Sequence, residues 1–105
     1  AMLCTAAADA RVRLWRVRQR QHILCCTLEG HTDVVTSCCF NARGGLVVSG
    51  SVDATVRVWT WAEGARQVAT CSGHLGWVSA VACSREGDTA LSASRDGSVR
   101  LWDLE

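Results

Sequence analysis

Short apolar runs, separated by clusters of turn-forming residues, follow one another along the chain. The runs are residues 34–40, 46–51, 56–61 and 67–71, and then 78–83, 90–93 and 99–104. Between them lie Gly-, Asp-, Asn- and Ser-containing clusters at 41–45, 52–55, 85–88 and 95–98. Runs of this length bounded by turn residues predict β-strands, and no window carries the 3.6-residue period of a helix. The pattern therefore predicts an all-β chain.

Two motifs recur along the chain with one period. Asp-x-x-Val-Arg-(Leu/Val)-Trp begins at Asp9, Asp53 and Asp96, which are 44 and 43 residues apart. Gly-His occurs at residues 30–31 and 73–74, again 43 residues apart, and each histidine precedes an aspartate by 22 residues. Because two independent markers share the period, the sequence indicates a repeated supersecondary unit.

These motifs resemble the WD40 family: Gly-His, then about 22 residues later Ser-x-Ser-x-Asp-x-x-Val-Arg-Val-Trp. The resemblance implies WD40-type β-propeller blades, which are four-stranded antiparallel sheets arranged around a channel. On the family's phasing the chain holds about two and a half blades and forms an incomplete ring. Residues 1–29 are a partial blade with its second to fourth strands, 30–72 a complete blade, and 73–105 a partial blade with its first three strands.

The resemblance also implies that the chain is a segment of a larger WD40 scaffold. Its cysteine-rich repeats, in which every basic residue is arginine, are similar to those of large proteins that join a nucleotide-binding module to many WD40 repeats, including telomerase- and vault-associated ones. Exposed blade faces would then meet the rest of a larger propeller or a second copy of the chain.

Composition narrows the functional classes. The net charge of +1 gives no whole-chain field that would select nucleic acid or membrane. The seven cysteines include the adjacent pairs Cys25-Cys26 and Cys38-Cys39 in apolar runs, where we expect buried free thiols that behave as small hydrophobic residues. No ligand spacing for zinc is present, so we expect no metal and no cofactor. Reduced thiols favour the cytoplasm or the nucleus.

One set of side chains has the residue types of a hydrolase triad, but it occurs twice with a tryptophan added. The sets are His31, Ser49, Asp53 and Trp59, and then His74, Ser92, Asp96 and Trp102. In the family these four form a structural relay in which Trp donates to Ser, and His joins Ser to Asp. The first segment keeps Thr5, Asp9 and Trp15 without an upstream histidine, and Ser51 is an alternative to Ser49. The recurrence favours a structural tetrad over an enzyme.

The resemblance places partner contacts at the start of the innermost strand and just before the turn aspartate. These positions hold Val34, Thr36 and Val52 in the second segment, Trp77, Ser79 and Arg95 in the third, and Ala8 in the first. Tryptophan and arginine dominate binding hot spots. The sequence therefore predicts a non-catalytic protein-interaction scaffold that uses this rim.

A run of five arginines surrounds Trp15. Arg13 occupies the same repeat position as Arg57 and Arg100, which leaves Arg11, Arg16, Arg18 and Arg20 unexplained by the repeat. They predict a solvated, charged turn between the third and fourth strands, with Glu29, Asp33 and Glu63 as local counter-charges. The alternative is an RNA-binding WD40 segment of a ribonucleoprotein-associated protein that uses these arginines, or an acidic protein partner.

Overall fold

The computed structural model describes residues 2–41, 45–61 and 64–104, which form ten β-strands and no helix. The strands are β1 (Met2–Ala6), β2 (Arg11–Arg18), β3 (Gln21–Glu29), β4 (Val35–Phe40), β5 (Leu46–Ser51), β6 (Val56–Thr60), β7 (Arg66–Cys71), β8 (Val78–Cys83), β9 (Thr89–Ser94) and β10 (Val99–Asp103). The all-β prediction is confirmed. The middle of the predicted turn at 41–45, residue Glu63 and the two terminal residues lie outside the described residues.

The strands form three antiparallel sheets that do not close into a ring. The first contains β1-β2-β3, the second β4-β5-β6-β7 and the third β8-β9-β10. Neighbouring strands are consecutive in the chain, so each sheet is a meander with short connections. This arrangement matches partial propeller blades.

Apolar side chains fill the two seams between the sheets. Val12 and Leu14 of β2 pack with Val35 and Val47 of the second sheet. On its other face, the second sheet contributes Val48 and its neighbours to a cluster with the third sheet. Successive residues of a strand point to opposite faces, so β5 serves one seam with Val47 and the other with Val48.

Bulges recur at equivalent positions. The pairing of β2 with β3 shifts just before Trp15, and that of β6 with β7 shifts just before Trp59, which leaves Cys25 and Val68 as extra residues. A bulge bends the strand and turns one side chain out of the alternation. Cys25 is exposed, as are Ile23 and Leu24 beside it on this outermost strand. The expectation that it would be buried with Cys26 is therefore wrong, whereas the other six free thiols are partly buried.

The arginine run is mostly strand. Arg11, Arg16 and Arg18 lie in β2, and only Arg20 lies in the turn. The prediction of a charged turn is therefore corrected. Gln19 and Arg20 both adopt positive φ, the backbone of the two-residue hairpin that matches strand twist. The short turn allows β2 to continue to Arg18.

The second and third sheets approach each other closely at Gly50 of β5. A Cβ atom there would lie 2.5 Å from Val78 Cγ1 and 2.9 Å from Val81 Cγ1 of β8. Because both valines belong to a packed seam, they cannot move away without disturbing their neighbours. The absence of a side chain at Gly50 sets the spacing of the two sheets.

We expect Gly50→Ala to lower the free energy of unfolding by about 1–3 kcal/mol through overpacking. Gly97→Ala is the control, since nothing lies within 4 Å of its Cβ position and only its positive φ of 87° is strained. Urea unfolding of both variants measures the difference. Because Gly97→Ala reports only the strain of its positive φ, an unchanged free energy of unfolding in Gly50→Ala is the result that would contradict close packing at Gly50.

Candidate functional site

The second sheet contains a continuous chain of buried hydrogen bonds. Trp59 Nε1 donates to Ser49 Oγ at 2.8 Å, and Ser49 Oγ lies 2.7 Å from His31 Nε2. His31 Nδ1 lies 2.9 Å from Asp53 Oδ2. A carboxylate only accepts, so Nδ1 carries the imidazole proton, and the hydroxyl of Ser49 donates to Nε2. The four side chains therefore form an unbroken series of hydrogen bonds between Trp59 and Asp53, and each of these polar groups has a partner.

The third sheet repeats this chain. Trp102 Nε1 donates to Ser92 Oγ at 2.8 Å, Ser92 Oγ lies 2.7 Å from His74 Nε2, and His74 Nδ1 lies 3.1 Å from Asp96 Oδ2. The distances match those of the second sheet to within 0.2 Å. The structure thus brings together all four side chains of each predicted set.

The first sheet holds a shortened version. Trp15 Nε1 donates to Thr5 Oγ1 at 2.9 Å, but the carboxylate of Asp9 accepts from the guanidinium of Arg13 instead of an imidazole. The hydrogen-bond partner of the turn aspartate is therefore Arg13 in the first sheet and a histidine in the other two sheets.

Ser51 has a different role from Ser49. Its hydroxyl donates to the carbonyl of Val34 at 2.8 Å and accepts from the backbone N–H of Asp53 at 3.1 Å. These bonds join the start of β4 to the turn after β5. Ser49 is the serine of the relay.

The aspartate of each relay also ties a loop to a turn. The carboxylate of Asp53 accepts backbone N–H groups from Thr32 at 3.1 Å and from Thr55 at 2.8 Å. Burial raises the pKa of Asp53, but the hydrogen bonds from Thr55 and His31 outweigh it and bring the pKa to about 2. Burial lowers the pKa of His31, so the ring is neutral at pH 7.

The geometry of the relay does not present a nucleophile. Ser49 is 0% exposed and Ser92 is 1% exposed. Each hydroxyl already accepts from an indole and donates to an imidazole, so neither can reach a substrate without breaking the chain. The arrangement orients strands and turns.

The candidate rim carries one stacked pair. The guanidinium of Arg95 lies 4.3 Å from the centroid of the Trp77 ring, and the backbone N–H of Arg95 donates to the carbonyl of Trp77 at 2.9 Å. In the second sheet the equivalent backbone bond joins Val52 to Val34 at 2.9 Å. Trp77 is 45% exposed, and Leu75 beside it is 93% exposed. Sequence reasoning missed Leu75, which the repeat motif does not mark.

Thr36 and Ser79, two other predicted contact residues, are the extra residues of bulges in β4 and β8. Their hydroxyls donate to the carbonyls of Gly50 and Ala93, both at 3.1 Å. The single hydroxyl proton of Thr36 is shared between the carbonyl of Gly50 and that of Val78 in the third sheet. Both hydroxyls are therefore engaged in hydrogen bonds to backbone carbonyls at the rim.

The arginines of the run have separate environments. Arg11 pairs with Glu29 at 3.0 Å and lies 3.9 Å from Asp9. Arg16 and Arg18 line a pocket of about 270 Å³ with Met2 and Trp61. By the alternation of β2, Arg11 lies on one face of the strand and Arg16 and Arg18 lie on the other.

Over residues 2–41, 45–61 and 64–104, no three His, Cys, Asp or Glu side chains are grouped as a metal site would require. The same part of the chain contains no helix long and apolar enough to cross a bilayer.

The stacked meanders with their Trp-Ser-His-Asp relays define this molecule as a set of propeller blades. Two segments, 22–60 and 65–103, match the family described as "WD domain, G-beta repeat". The matches cover more than half of the chain, which therefore belongs to the WD40 repeat family. Each match begins at the outermost strand of one sheet and ends at the third strand of the next.

Three curated proteins illustrate what this chain is similar to. The U3 snoRNP-associated protein-like EMB2271 of Arabidopsis thaliana is 36% identical over 69 residues, which are 66% of this chain and 14% of that protein. Human WD repeat-containing protein 37 is 39% identical over 69 residues, again 66% and 14%. Human transducin beta-like protein 3 is 35% identical over 60 residues, 55% and 7%. The chain thus spans 14% or less of these relatives.

We expect Ser49→Ala to cost about 1–3 kcal/mol of stability, because the buried indole of Trp59 and imidazole of His31 lose their shared partner. Thr5→Ala is the matched control, since Thr5 is exposed and only the Trp15 indole depends on it. Thermal unfolding followed by circular dichroism compares the two. A loss for Thr5→Ala as large as that for Ser49→Ala would contradict the importance of burial.

Stability should also fall in acid through the relay. Unfolding restores the pKa of Asp53 from about 2 to its ordinary 3.8, so its contribution of about 2 kcal/mol is present above pH 4 and is lost as the pH falls toward 2. His31, whose pKa is lowered by burial, adds a loss that begins below its ordinary value of 6.5. Urea unfolding between pH 7 and pH 2 measures both. Asp53→Asn should be less stable at pH 7 and flatter between pH 4 and 2, and an unchanged slope would contradict the assignment.

Proposed function

We propose that this chain is a non-catalytic, protein-binding segment of a WD40 scaffold, made of blade segments 1–29, 30–72 and 73–105, and that Trp77 and Arg95 are its principal contact residues. One observation carries the proposal: a large aromatic side chain is exposed at the rim with an arginine stacked on it. Val34 and Val52 occupy the equivalent positions of the second sheet, so the repeat does not require this pair.

The pair is held in place before any partner arrives. The backbone bond from Arg95 to Trp77 and the stacking at 4.3 Å restrict both side chains. Immobilising flexible side chains is a main cost of association, and a pre-oriented pair avoids part of it. Leu75, which is almost fully exposed, extends the apolar contact area. A partner with an apolar side chain beside an acidic group suits this combination.

RNA binding through the arginine run has less support. A single-stranded nucleic acid needs a basic groove that follows its backbone, whereas Arg11 is paired with Glu29 and Arg13 with Asp9. The partly buried free thiols favour a reducing compartment, the cytoplasm or the nucleus.

We expect Trp77→Ala and Arg95→Ala each to weaken partner binding at least tenfold while leaving the melting temperature within 2 °C of wild type, about the scale of a surface substitution. Arg85→Ala, which removes an exposed arginine elsewhere, is the charge-matched control. Affinity capture with the four proteins identifies partners retained by wild type and Arg85→Ala but lost by both rim variants.

The same capture, repeated after ribonuclease treatment and at raised salt, separates the two functions. Protein partners that survive both treatments support the proposal. Binding that disappears with ribonuclease and falls steeply with salt would support RNA instead, and a melting temperature lowered as in a core variant would remove Trp77 from the contact surface.

A further inference from the structure

The seam between the first and second sheets opens into a polar pocket at the rim opposite Trp77. Strand β2 starts beside the Asp9 turn and runs to Arg18 at the other rim, where Trp61 follows the end of β6. Arg16, Arg18, Met2 and Trp61 line the pocket, whose volume is about 270 Å³. Nothing in the relay or in the Trp77 rim uses these side chains.

The two arginines lie on the face of β2 that packs on the second sheet. Val12, Leu14, Arg16 and Arg18 alternate along this strand, and the first two are completely buried in the seam. The extra residue of the nearby bulge belongs to β3, so the alternation of β2 continues to Arg18. Arg16 is paired across the sheet with Met2, which packs against the same seam. The seam therefore ends in two guanidinium groups.

These arginines find no carboxylate within the described part of the chain, in contrast to Arg11 and Arg13, which both pair with Asp9. The repeat does not call for them, because Thr60 and Asp103 stand at the position of Arg16 in the other two sheets. Two neighbouring cations facing a partly enclosed space favour an anion as the missing partner.

The aromatic ring of Trp61 lines the same pocket. Among the described residues, the indole Nε1 of Trp61 is buried and has no hydrogen-bond acceptor. The Trp61 ring packs edge-on against Phe40, with centroids 5.9 Å apart, which fixes its orientation. The Nε1 atom is enclosed by protein, so the Trp61 ring contributes apolar surface to the pocket it lines, and the two arginines supply the polar contacts.

We propose that this pocket binds the phosphate monoester of a phosphorylated serine or threonine side chain on a partner protein. A phosphate monoester carries three terminal oxygens and close to two negative charges, which match two guanidinium forks. Met2 and the Trp61 ring supply apolar surface for the carbon that bears the ester.

The observations favour a protein partner over RNA. The phosphates of an RNA chain are diesters with a single charge each, spread along a backbone that needs a continuous basic track. Here the adjacent cations Arg11 and Arg13 are already neutralised.

The test follows the indole ¹H–¹⁵N signal of Trp61 in the purified protein, assigned through Trp61→Phe, during titration with N-acetyl-O-phosphoserine amide. We expect a saturable shift, no shift with the unphosphorylated compound, and a weaker shift with inorganic phosphate. Arg16→Gln and Arg18→Gln should each weaken binding at least tenfold. Arg16→Lys should weaken it several-fold, because lysine keeps the charge without the fork.

Arg20→Gln, an equal charge change in the adjacent turn, is the control and should bind as wild type does. Equal weakening by this variant, or a shift that never saturates, would overturn the site as non-specific attraction. Binding that appears only in Glu63→Gln would overturn it in favour of an internal carboxylate. Tighter binding of an oligoribonucleotide regardless of its 5′-phosphate would overturn the choice of partner.

The outcome is separable from that of the Trp77 rim. Trp77→Ala should leave the phosphoserine titration unchanged. Loss of phosphoserine binding in Trp77→Ala would overturn the assignment of the signal to the opposite rim.

Discussion

The blades depend on one buried serine hydroxyl, which is the hydrogen-bond partner of two larger buried rings. Ser49 accepts from the Trp59 indole and donates to the His31 imidazole, and without it both rings would lie in the interior unpaired. Leaving such groups unpaired in a low-dielectric core costs more than the bonds return. The relay therefore fixes four parts of the sheet at once: the loop before β4, strand β5, the Asp53 turn and strand β6.

The relay and the apolar seams depend on the same residues. Trp59 belongs to the cluster between the first and second sheets, so the side chain that donates to Ser49 also fills the space against the neighbouring sheet. On the other face of β5, Gly50 lets the third sheet approach Val78 and Val81 closely. The two family matches begin at β3 and β7, which are the outermost strands of their sheets. Each sequence repeat thus spans two sheets and links them covalently.

The sequence predicted those features that repeat. The period placed each histidine 22 residues before its aspartate, and β8 has the predicted bounds while β4 begins one residue later than expected. Cys25 was mispredicted, because it lies in the half of the edge strand β3 that no other sheet covers, where residues 21–25 are all exposed. An apolar run in the sequence does not show whether another sheet will cover it. The pocket at Arg16 and Arg18 could not be predicted from the sequence either, because it depends on which face of β2 lies against Trp61. That relation arises only when two sheets pack.

The repeat constrains some positions and leaves others open, and this determines where binding chemistry can enter the fold. Thr36 and Ser79 lie at the rim, but their hydroxyls already hold backbone carbonyls, so changing them disturbs the sheet. Trp77 and Arg95 stand where the second sheet has valines, and Arg16 stands where it has threonine. At these positions the backbone bonds are formed by main-chain groups, so the side chain can vary without loss of the fold. A specific partner is therefore best recognised by residues that depart from the repeat, at both rims of the blades.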